Sequence, residues 1–511
     1  MKSKKQVEVK VKVEKKAKNS CFTLVVFSLT LTFTFACLLA GCAVGPDFQR
    51  PSVPAVAGYA PQPFAAQTAS VDVKGGEAQR FVRDMDIPGQ WWTLFHSKPL
   101  NDLIEQSLKA NPDLEAAKAT LRVARENVYA QQGAFFPSVE ASFIPSRQKS
   151  AGVLAPPLAN NNDLYSLYTA QVAVAYAPDV FGGNRRQVES LKAQAESLRF
   201  QLEAAYLTLT SNVVTAAVQE AALRGQIAAV KRIIDIQSET LKLLKRQYEL
   251  GQVAVLDVAA QEAALAQTQA ALPPLEKQLA QQRDLLARLA GSFPSEKLAQ
   301  EFALSSLQMP QELPVSLPSK LVEQRPDVRS AEEQLHSASA EIGVAIANRL
   351  PNITLSANLG SSSTAINQLF SPGTGFWALA ADVTQPVFQG GTLLHRQRAA
   401  EAAYDQAAAQ YRSTVLTAFQ NVADTLHAIQ SDADELKAAA AAEHAAAKSL
   451  SIAQHQLELG DISYLGVLNA EQTYQQAVIN LVQALANRYS DTAALFQALG
   501  GGWWNRSDAK E

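Results

Sequence analysis

Few side chains in this 511-residue chain have the types and spacing that chemistry requires. Six histidines, His96, His336, His395, His427, His444 and His455, are scattered along it. His444 and His455 fall close to one helical face, but eleven residues separate them, two turns more than direct metal sharing allows. No Ser/His/Asp set is discernible by spacing. Gly182-Gly183 and Gly390-Gly391 each lie between a strand pattern and a helix pattern, as phosphate-binding loops do. They lack the further glycines and the Lys-Ser/Thr of such loops, and read as strand-to-helix turns. Trp91-Trp92 and Trp503-Trp504 suit packing or interface anchoring better than a ligand cage. The chain reads as one without a catalytic centre, metal or cofactor.

Cys42 is the position with a definite covalent chemistry. Lys2, Lys4, Lys5, Lys10, Lys12, Lys15, Lys16 and Lys18 form a basic leader, an apolar run from Cys21 to Leu38 follows, and Leu39-Ala40-Gly41-Cys42 closes it. That order is a secretory signal over residues 1–41, outside any fold reasoning. The run is about long enough to span a bilayer, so an uncleaved anchor is the alternative. The small residues before Cys42 resemble a bacterial lipobox, which implies cleavage there and lipid on the cysteine's thiol and amine. Ala43, in place of Asp, permits sorting to the outer membrane by the same resemblance. Cys21 and Cys37 leave with the signal, so no disulfide or cysteine-based metal site remains. Lipid on one terminus anchors a protein without making it span anything. Eight of the 45 basic residues and two of the 48 acidic ones lie in residues 1–41, so the remainder carries −9. Nothing in that balance suggests a nucleic-acid partner, which requires a basic patch.

The chain is written twice. Pro112-Asp113 and Pro137 recur as Pro326-Asp327 and Pro351, at an offset of 214. Val180-Phe181 recurs as Val387-Phe388. Glu249-Leu250-Gly251 recurs as Glu458-Leu459-Gly460, and Gly291 as Gly500, at 209. A period of this length is far above those of solenoids and predicts two halves packed side by side. The expected segments are 42–99, a first repeat over 100–300, a second over 301–500, and a tail over 501–511.

Each half reads as helix, strand pair, then very long helices. No proline occurs from Gly183 to Leu272 or from Val387 onward, and both stretches are rich in strong helix formers. Ala408, Val415, Val422 and Ile429 repeat every seven residues, with Tyr404, Tyr411 and Ala418 four before them. Ala195, Leu202, Leu209 and Ala216 make the same stripe, beside Leu191, Leu198 and Ala205. This 3–4 alternation predicts coiled-coil packing. The span from Asn184 to Leu250 gives a rod of about 100 Å. Gly251 and Gly460 mark hairpin tips, since glycine readily ends a helix in a left-handed conformation. Pro273-Pro274 is expected to break the return helix of the first half.

The strands differ in character. Ile353, Leu355, Ala357 and Leu359 alternate with Asn352, Thr354, Ser356 and Asn358. Trp377, Leu379, Ala381 and Val383 alternate with Ala378, Ala380, Asp382 and Thr384, and Tyr168, Ala170, Val172, Val174 and Tyr176 place an aromatic at each end of an apolar face. Such a face with aromatic ends suits lipid, although a soluble sandwich strand alternates likewise. Four strands cannot close a barrel around a pore, and open edges cannot face lipid. Several copies must then share one barrel.

Cys42-Ala-Val-Gly-Pro-Asp-Phe-Gln-Arg-Pro51, Gln90-Trp-Trp-Thr-Leu-Phe95, Pro99-Leu100, Leu103-Ile104, Asn111-Pro112-Asp113-Leu114 and Ala498-Leu-Gly-Gly-Gly-Trp503 resemble the outer-membrane efflux proteins. The likeness is to TolC-like channels, in particular their lipid-anchored OprM/NodT branch. It implies a mainly α fold with a transmembrane β-barrel portion: a homotrimer sharing a twelve-stranded β-barrel and a periplasmic barrel of twelve helices. It also implies partners, namely a periplasmic adaptor and an inner-membrane pump, commonly of the resistance-nodulation-division class.

In that family the inner entrance is narrowed by the second repeat, often with an aspartate ring at Asp-Val-Leu-Asp-Ala. The matching stretch here is Gly466-Val467-Leu468-Asn469-Ala470, which lacks both carboxylates. The resemblance therefore places Leu465 as an apolar collar and Asn469 as an amide lining, with Glu471, Asp461 or Asp257 as the acids available to a constriction. Plain hairpin packing is the alternative for all five. The tips Gly251-Gln252 and Gly460-Asp461 are placed against the adaptor. The expectation is a passive exit duct for drugs or other small molecules. A metal-efflux or type I secretion duct, and a pore-less lipid-anchored periplasmic scaffold, are the alternatives.

Overall fold

The computed structural model describes residues 43–56, 58–151, 153, 163–296 and 298–506. Cys42, the apolar run before it and residues 507–511 lie outside them, so the expected signal and lipid site do too.

In chain order the elements are β1 (Arg80–Arg83), α1 (Lys98–Ala110), α2 (Pro112–Gln132), β2 (Ser138–Lys149), β3 (Leu164–Tyr176), α3 (Gly183–Glu249) and α4 (Val255–Leu289). The second half follows with β4 (Glu312–Val315), α5 (Pro318–Gln324), α6 (Pro326–Ala347), β5 (Asn352–Ser363), β6 (Gly375–Thr384), α7 (Thr392–Leu459) and α8 (Tyr464–Ala498). The tandem repeat is visible in these bounds. Shifted by 214, β2 falls on β5 at both ends; shifted by 209, α4 falls on α8 at both ends.

The repeat extends to how helices stop. Gly251 and Gly460 take φ of +73° and +79°, and Gly291 and Gly500 take +72° and +95°. At each, the residue after the glycine donates its N–H back five positions: Gln252 to Gln247 (2.8 Å), Asp461 to Gln456 (2.9 Å), Ser292 to Ala287 (2.9 Å), and Gly501 to Phe496 (2.8 Å). These are left-handed glycine terminators that satisfy carbonyls the helix leaves open. Gly182 (φ +78°) and Gly390-Gly391 (φ +57° and +83°) turn the chain from strand regions into α3 and α7, as expected.

Pro273-Pro274 does not break α4, which runs unbroken from Val255 to Leu289. Proline's φ is already helical, and what it removes is a donor to the carbonyl four residues back. Those carbonyls belong to Gln269 and Ala270, both exposed, where water can take the place of the lost donor.

The residues fall into two compact units. One comprises residues up to Gln49, Arg125–Gln194 and Leu335–Ala407, and contains a four-stranded antiparallel sheet in the order β2-β3-β5-β6. Its register stacks the apolar sets of all four strands in rows. Val172 pairs with Ala141 and Leu359, and Leu359 with Trp377; Val174 pairs with Val139 and Ala357, and Ala357 with Leu379. A shift of one residue would scatter these rows across both faces. The strands run 10 to 13 residues, slightly longer than the alternation suggests. β2 carries Pro145 and a mixed pattern, which hides it in the sequence. The chain ahead of Pro46 is fastened here. Val44 donates to the Phe181 carbonyl (3.1 Å), and the buried Arg186 guanidinium reaches the Val44 carbonyl (3.0 Å), Asp47 (2.8 Å) and Glu189 (2.8 Å).

The other unit comprises Arg50–Ala124, Ala195–Gln334 and Ala408–Glu511. Its main core joins the expected heptad positions Leu209, Ala216, Tyr411, Val415, Ala418, Val422 and Ile429 to the segment before α1. Trp91 is fully buried and stacks on Phe496 with ring centroids 5.3 Å apart, so the Trp pair is packing. Trp503 and Trp504 donate their indole N–H groups to the Gln324 carbonyl (2.7 Å) and Asp86 Oδ1 (3.0 Å). The small parallel pair β1-β4 lies alongside.

Candidate aperture at the hairpin tips

α7 and α8 form a helical hairpin whose tip is Gly460-Asp461-Ile462-Ser463. Beyond it α8 is two-sided. Tyr464, Val467, Leu468, Ala470 and Glu471 are buried, whereas Leu465, Asn469, Gln472, Thr473 and Gln476 are exposed. The exposed set recurs at intervals of three and four, so it forms one stripe along the helix. Leu465 is 58% exposed at its head. Gln476 donates to Asn480 Oδ1 (2.8 Å), which orders the amides one turn apart. The stripe holds no charged side chain: a leucine followed by amides and a hydroxyl.

The five expected aperture residues do not come together as a group. Leu465 and Asn469 share the exposed stripe. Asp461 is exposed on the tip itself. Asp257 is half-buried at the start of α4, where its carboxylate accepts the Ala254 N–H (3.2 Å) and so caps that helix. Glu471 does not line the surface at all; it is fully buried. The physical reason was legible: Glu471 lies seven residues after Tyr464, on the stripe that Tyr464, Val467 and Leu468 turn inward. The tip residues Gly251, Gln252, Gly460 and Asp461 are all exposed.

Sequence reasoning missed what surrounds Glu471. Tyr464 and Leu468 pack with Leu244 of α3 and with Val258 and Ala264 of α4. Polar groups sit against that cluster. Gln237 and Gln261 are buried, and Gln261 donates to the Gln237 backbone carbonyl (2.8 Å). Both Glu471 carboxyl oxygens, both side-chain polar atoms of Gln237, Gln261 Oε1 and Tyr464 Oη have no hydrogen-bond partner. Burial pushes the Glu471 carboxyl up to about 7, against a smaller opposing effect of Gln237 and Thr240. Burial likewise pushes the Tyr464 phenol up. Glutamines and a tyrosine carry no spacing signature, so only the packing exposes the cluster.

Comparison with known proteins gives a consistent picture. The family model for outer membrane efflux protein matches residues 103–292 and 317–501. The chain is 30% identical over 490 residues to the probable efflux pump outer membrane protein TtgC of Pseudomonas putida, covering 95% of this chain and 97% of that one. It is 31% identical over 428 residues to the pyoverdine export outer membrane protein OpmQ of Pseudomonas aeruginosa, covering 81% and 87%. Among solved structures, the outer-membrane channel OprN superposes with a TM-score of 0.80 at 28% identity, over 90% of this chain and all of that one. The open state of the Neisseria gonorrhoeae MtrE outer membrane channel superposes with a TM-score of 0.77 at 25% identity, over 91% and 100%.

Proposed function

The chain belongs to the outer membrane efflux protein family, whose members are transport ducts, and is an outer-membrane efflux channel of TolC-like fold; from that premise we propose how its own residues build and close the duct. Three copies share one barrel. The observation that carries this is the sheet: β2 and β6 are its outer strands, and among the described residues neither has a second partner. Unpaired backbone groups in hydrocarbon cost several kcal/mol each, by roughly the penalty for burying a polar group without a partner. Pairing β6 of one copy with β2 of the next removes every edge, and three copies give twelve strands. The rows ending at Trp377 and Leu379, both more than 70% exposed in the single chain, then face lipid.

The long helices of the three copies form the periplasmic barrel, and the uncharged stripe from Leu465 to Gln476 narrows its inner end. Leu465 is the collar; Asn469 offers hydrogen bonds without the cation binding a carboxylate ring would give. Cys42 carries lipid, and Arg186 clasps the segment that follows it through the Val44 carbonyl and Asp47. The tips at Gly251-Gln252 and Gly460-Asp461 meet a periplasmic adaptor, which couples the duct to an inner-membrane pump of the resistance-nodulation-division class. The cargo is small organic molecules, in line with relatives named for antibiotic, toluene and pyoverdine export.

Expression in a drug-hypersensitive strain lacking its own outer-membrane channel, with and without a matched adaptor and pump, tests this proposal. Resistance is expected to return only when all three parts are present, together with a heat-modifiable trimer. A monomer in the outer membrane, or resistance unchanged when both Leu465 and Asn469 are replaced by alanine, would overturn it.

A further inference from the structure

The unpartnered atoms around Glu471 are complementary to one another once a proton is supplied. A carboxylic acid and a carboxamide can join in a ring of two hydrogen bonds, O–H to the amide oxygen and N–H to the acid carbonyl. The four atoms such a ring uses are the two carboxyl oxygens of Glu471 and the Oε1 and Nε2 atoms of Gln237, and all four are buried without a partner. A carboxylate cannot complete it, because Gln237 Oε1 would then face an acceptor.

Nothing nearby supplies a positive charge instead. From α3, Gln237 and Thr240 act on the carboxyl, and no cation does so. The Thr240 hydroxyl donates to the Ile236 carbonyl (3.0 Å), and its pull on the Glu471 carboxyl, like that of Gln237, is smaller than the effect of burial. From α4 come Gln261, whose Oε1 is also an unpaired acceptor, and Asp257, which acts on Tyr464. From α7 the neighbouring groups are apolar: Leu450, Ala453 and Leu457 pack with Val467 and Ala470. No cation acts on the carboxyl from α3, and the α7 side is apolar, so a charge left there without a cation is costly.

We propose that Glu471 is a neutral acid in the closed hairpin, ringed with Gln237, and that loss of its proton releases α8 from α3. The proposal rests on Leu465 and Asn469 forming the aperture, since these stand on α8 within two turns of Glu471. A cavity of about 240 Å³, whose lining includes the amide partner Gln237 and Gln472, the residue after Glu471, is the route by which the proton would leave. The released proton goes to bulk solvent, and the carboxylate is then hydrated through that cavity as α8 moves away. Burial already sets the carboxyl near neutrality, so the latch works over the pH range of the periplasm.

Two readouts on the purified, membrane-inserted trimer test it. Infrared difference spectra between about pH 5.5 and pH 8.5, taken in an Asp432→Asn background that removes the other raised buried carboxyl, should show a protonated carboxylic-acid band that vanishes on titration and is absent when Glu471→Gln is added. In planar bilayers the parent should open about tenfold more often at the higher pH, the effect of one pKa unit of difference between two states. Glu471→Gln, which keeps the ring at every pH, should stay at the low-pH level. Gln237→Leu, which removes the ring but not the acid, should be open even in acid. Absence of the band, or Glu471→Gln opening with pH as the parent does, would overturn the latch. Should Leu465→Ala and Asn469→Ala leave conductance unchanged while the band titrates normally, the aperture assignment fails, and the latch on conductance with it, but the acid–amide pair stands.

Discussion

Arg325 donates from Nη1 to the carbonyl of Ala498 at 3.0 Å, and the equivalent tie in the first half is made by Asn111, whose Nδ2 reaches the carbonyl of Leu289 at 3.1 Å. Residues 214 apart thus fasten carbonyls 209 apart, one with a guanidinium and the other with a carboxamide. The backbone approach is what the two halves share. A Cβ on Gly291 would lie 2.2 Å from the Ala110 carbonyl oxygen, and one on Gly500 would lie 2.4 Å from that of Gln324.

That approach separates two kinds of glycine. Gly251 and Gly460 need a positive φ, but a Cβ there meets nothing within 4 Å. Gly460→Ala should therefore cost only the left-handed backbone, about 1–2 kcal/mol. Gly500→Ala adds a collision with backbone that cannot move without opening the core, and should cost more than ~4 kcal/mol. Thermal unfolding of the detergent-solubilised trimer checks the order. Equal losses at both positions would mean that the close approach to Gln324 is not a constraint.

The sheet makes a prediction about faces. Leu359 is 67% exposed in the row with Val172 and Trp377, while the adjacent Asn358 points to the opposite face with Ala173 and Ala378. Leu359→Arg should destabilise the barrel by about 2–4 kcal/mol if its row lies near the bilayer midplane, and reduce the heat-resistant trimer in outer-membrane fractions. Asn358→Arg should leave the trimer in place and alter conductance instead. The reverse pattern would turn the barrel inside out.

Most of this architecture was legible because it rests on periodicity. Val415, Val422 and Ile429 repeat at seven, Ile353 to Leu359 at two, and the terminating glycines repeat with the halves. What escaped was decided by packing. Pro273-Pro274 looked like a break, yet the orphaned carbonyls belong to exposed residues that water can reach. Glu471 looked like a surface acid because acids usually are, although its phase relative to Tyr464 put it inside. Gln237 and Gln261 gave no signal, since a glutamine inside a long amphipathic helix reads as surface until a neighbour buries it.

The uncharged stripe bears on ion sensitivity. With Asn469 on it and Asp461 at the tip, the parent duct should show little block by multivalent cations added on the periplasmic side. In the proposed trimeric aperture, Asn469→Asp would bring three carboxylates around one axis, where their repulsion is relieved by a bound cation. Millimolar divalent cations should then cut single-channel conductance of the variant several-fold and leave the parent nearly unaffected. Equal block in both would place the narrowest point elsewhere than Asn469.

A second buried acid, on α7, sets how stability varies with pH. Asp432 is 8% exposed, with one carboxyl oxygen unpartnered. Burial, reinforced by the neighbouring Asp491 and Glu435, raises its pKa well above the usual carboxylate range, and the buried Arg488 only partly offsets this. The folded carboxyl keeps its proton where the unfolded one has lost it. Folding therefore takes up a proton between the ordinary value, 3.8, and the raised one, and stability falls as pH rises through that window. Asp432→Asn cannot ionise and escapes the penalty. It should match the parent near pH 4 and exceed it by about 1–2 kcal/mol near pH 8, visible as a Tm difference that grows with pH. A difference that is constant across the range would mean that the pair is ionised throughout, with Arg488 holding both charges.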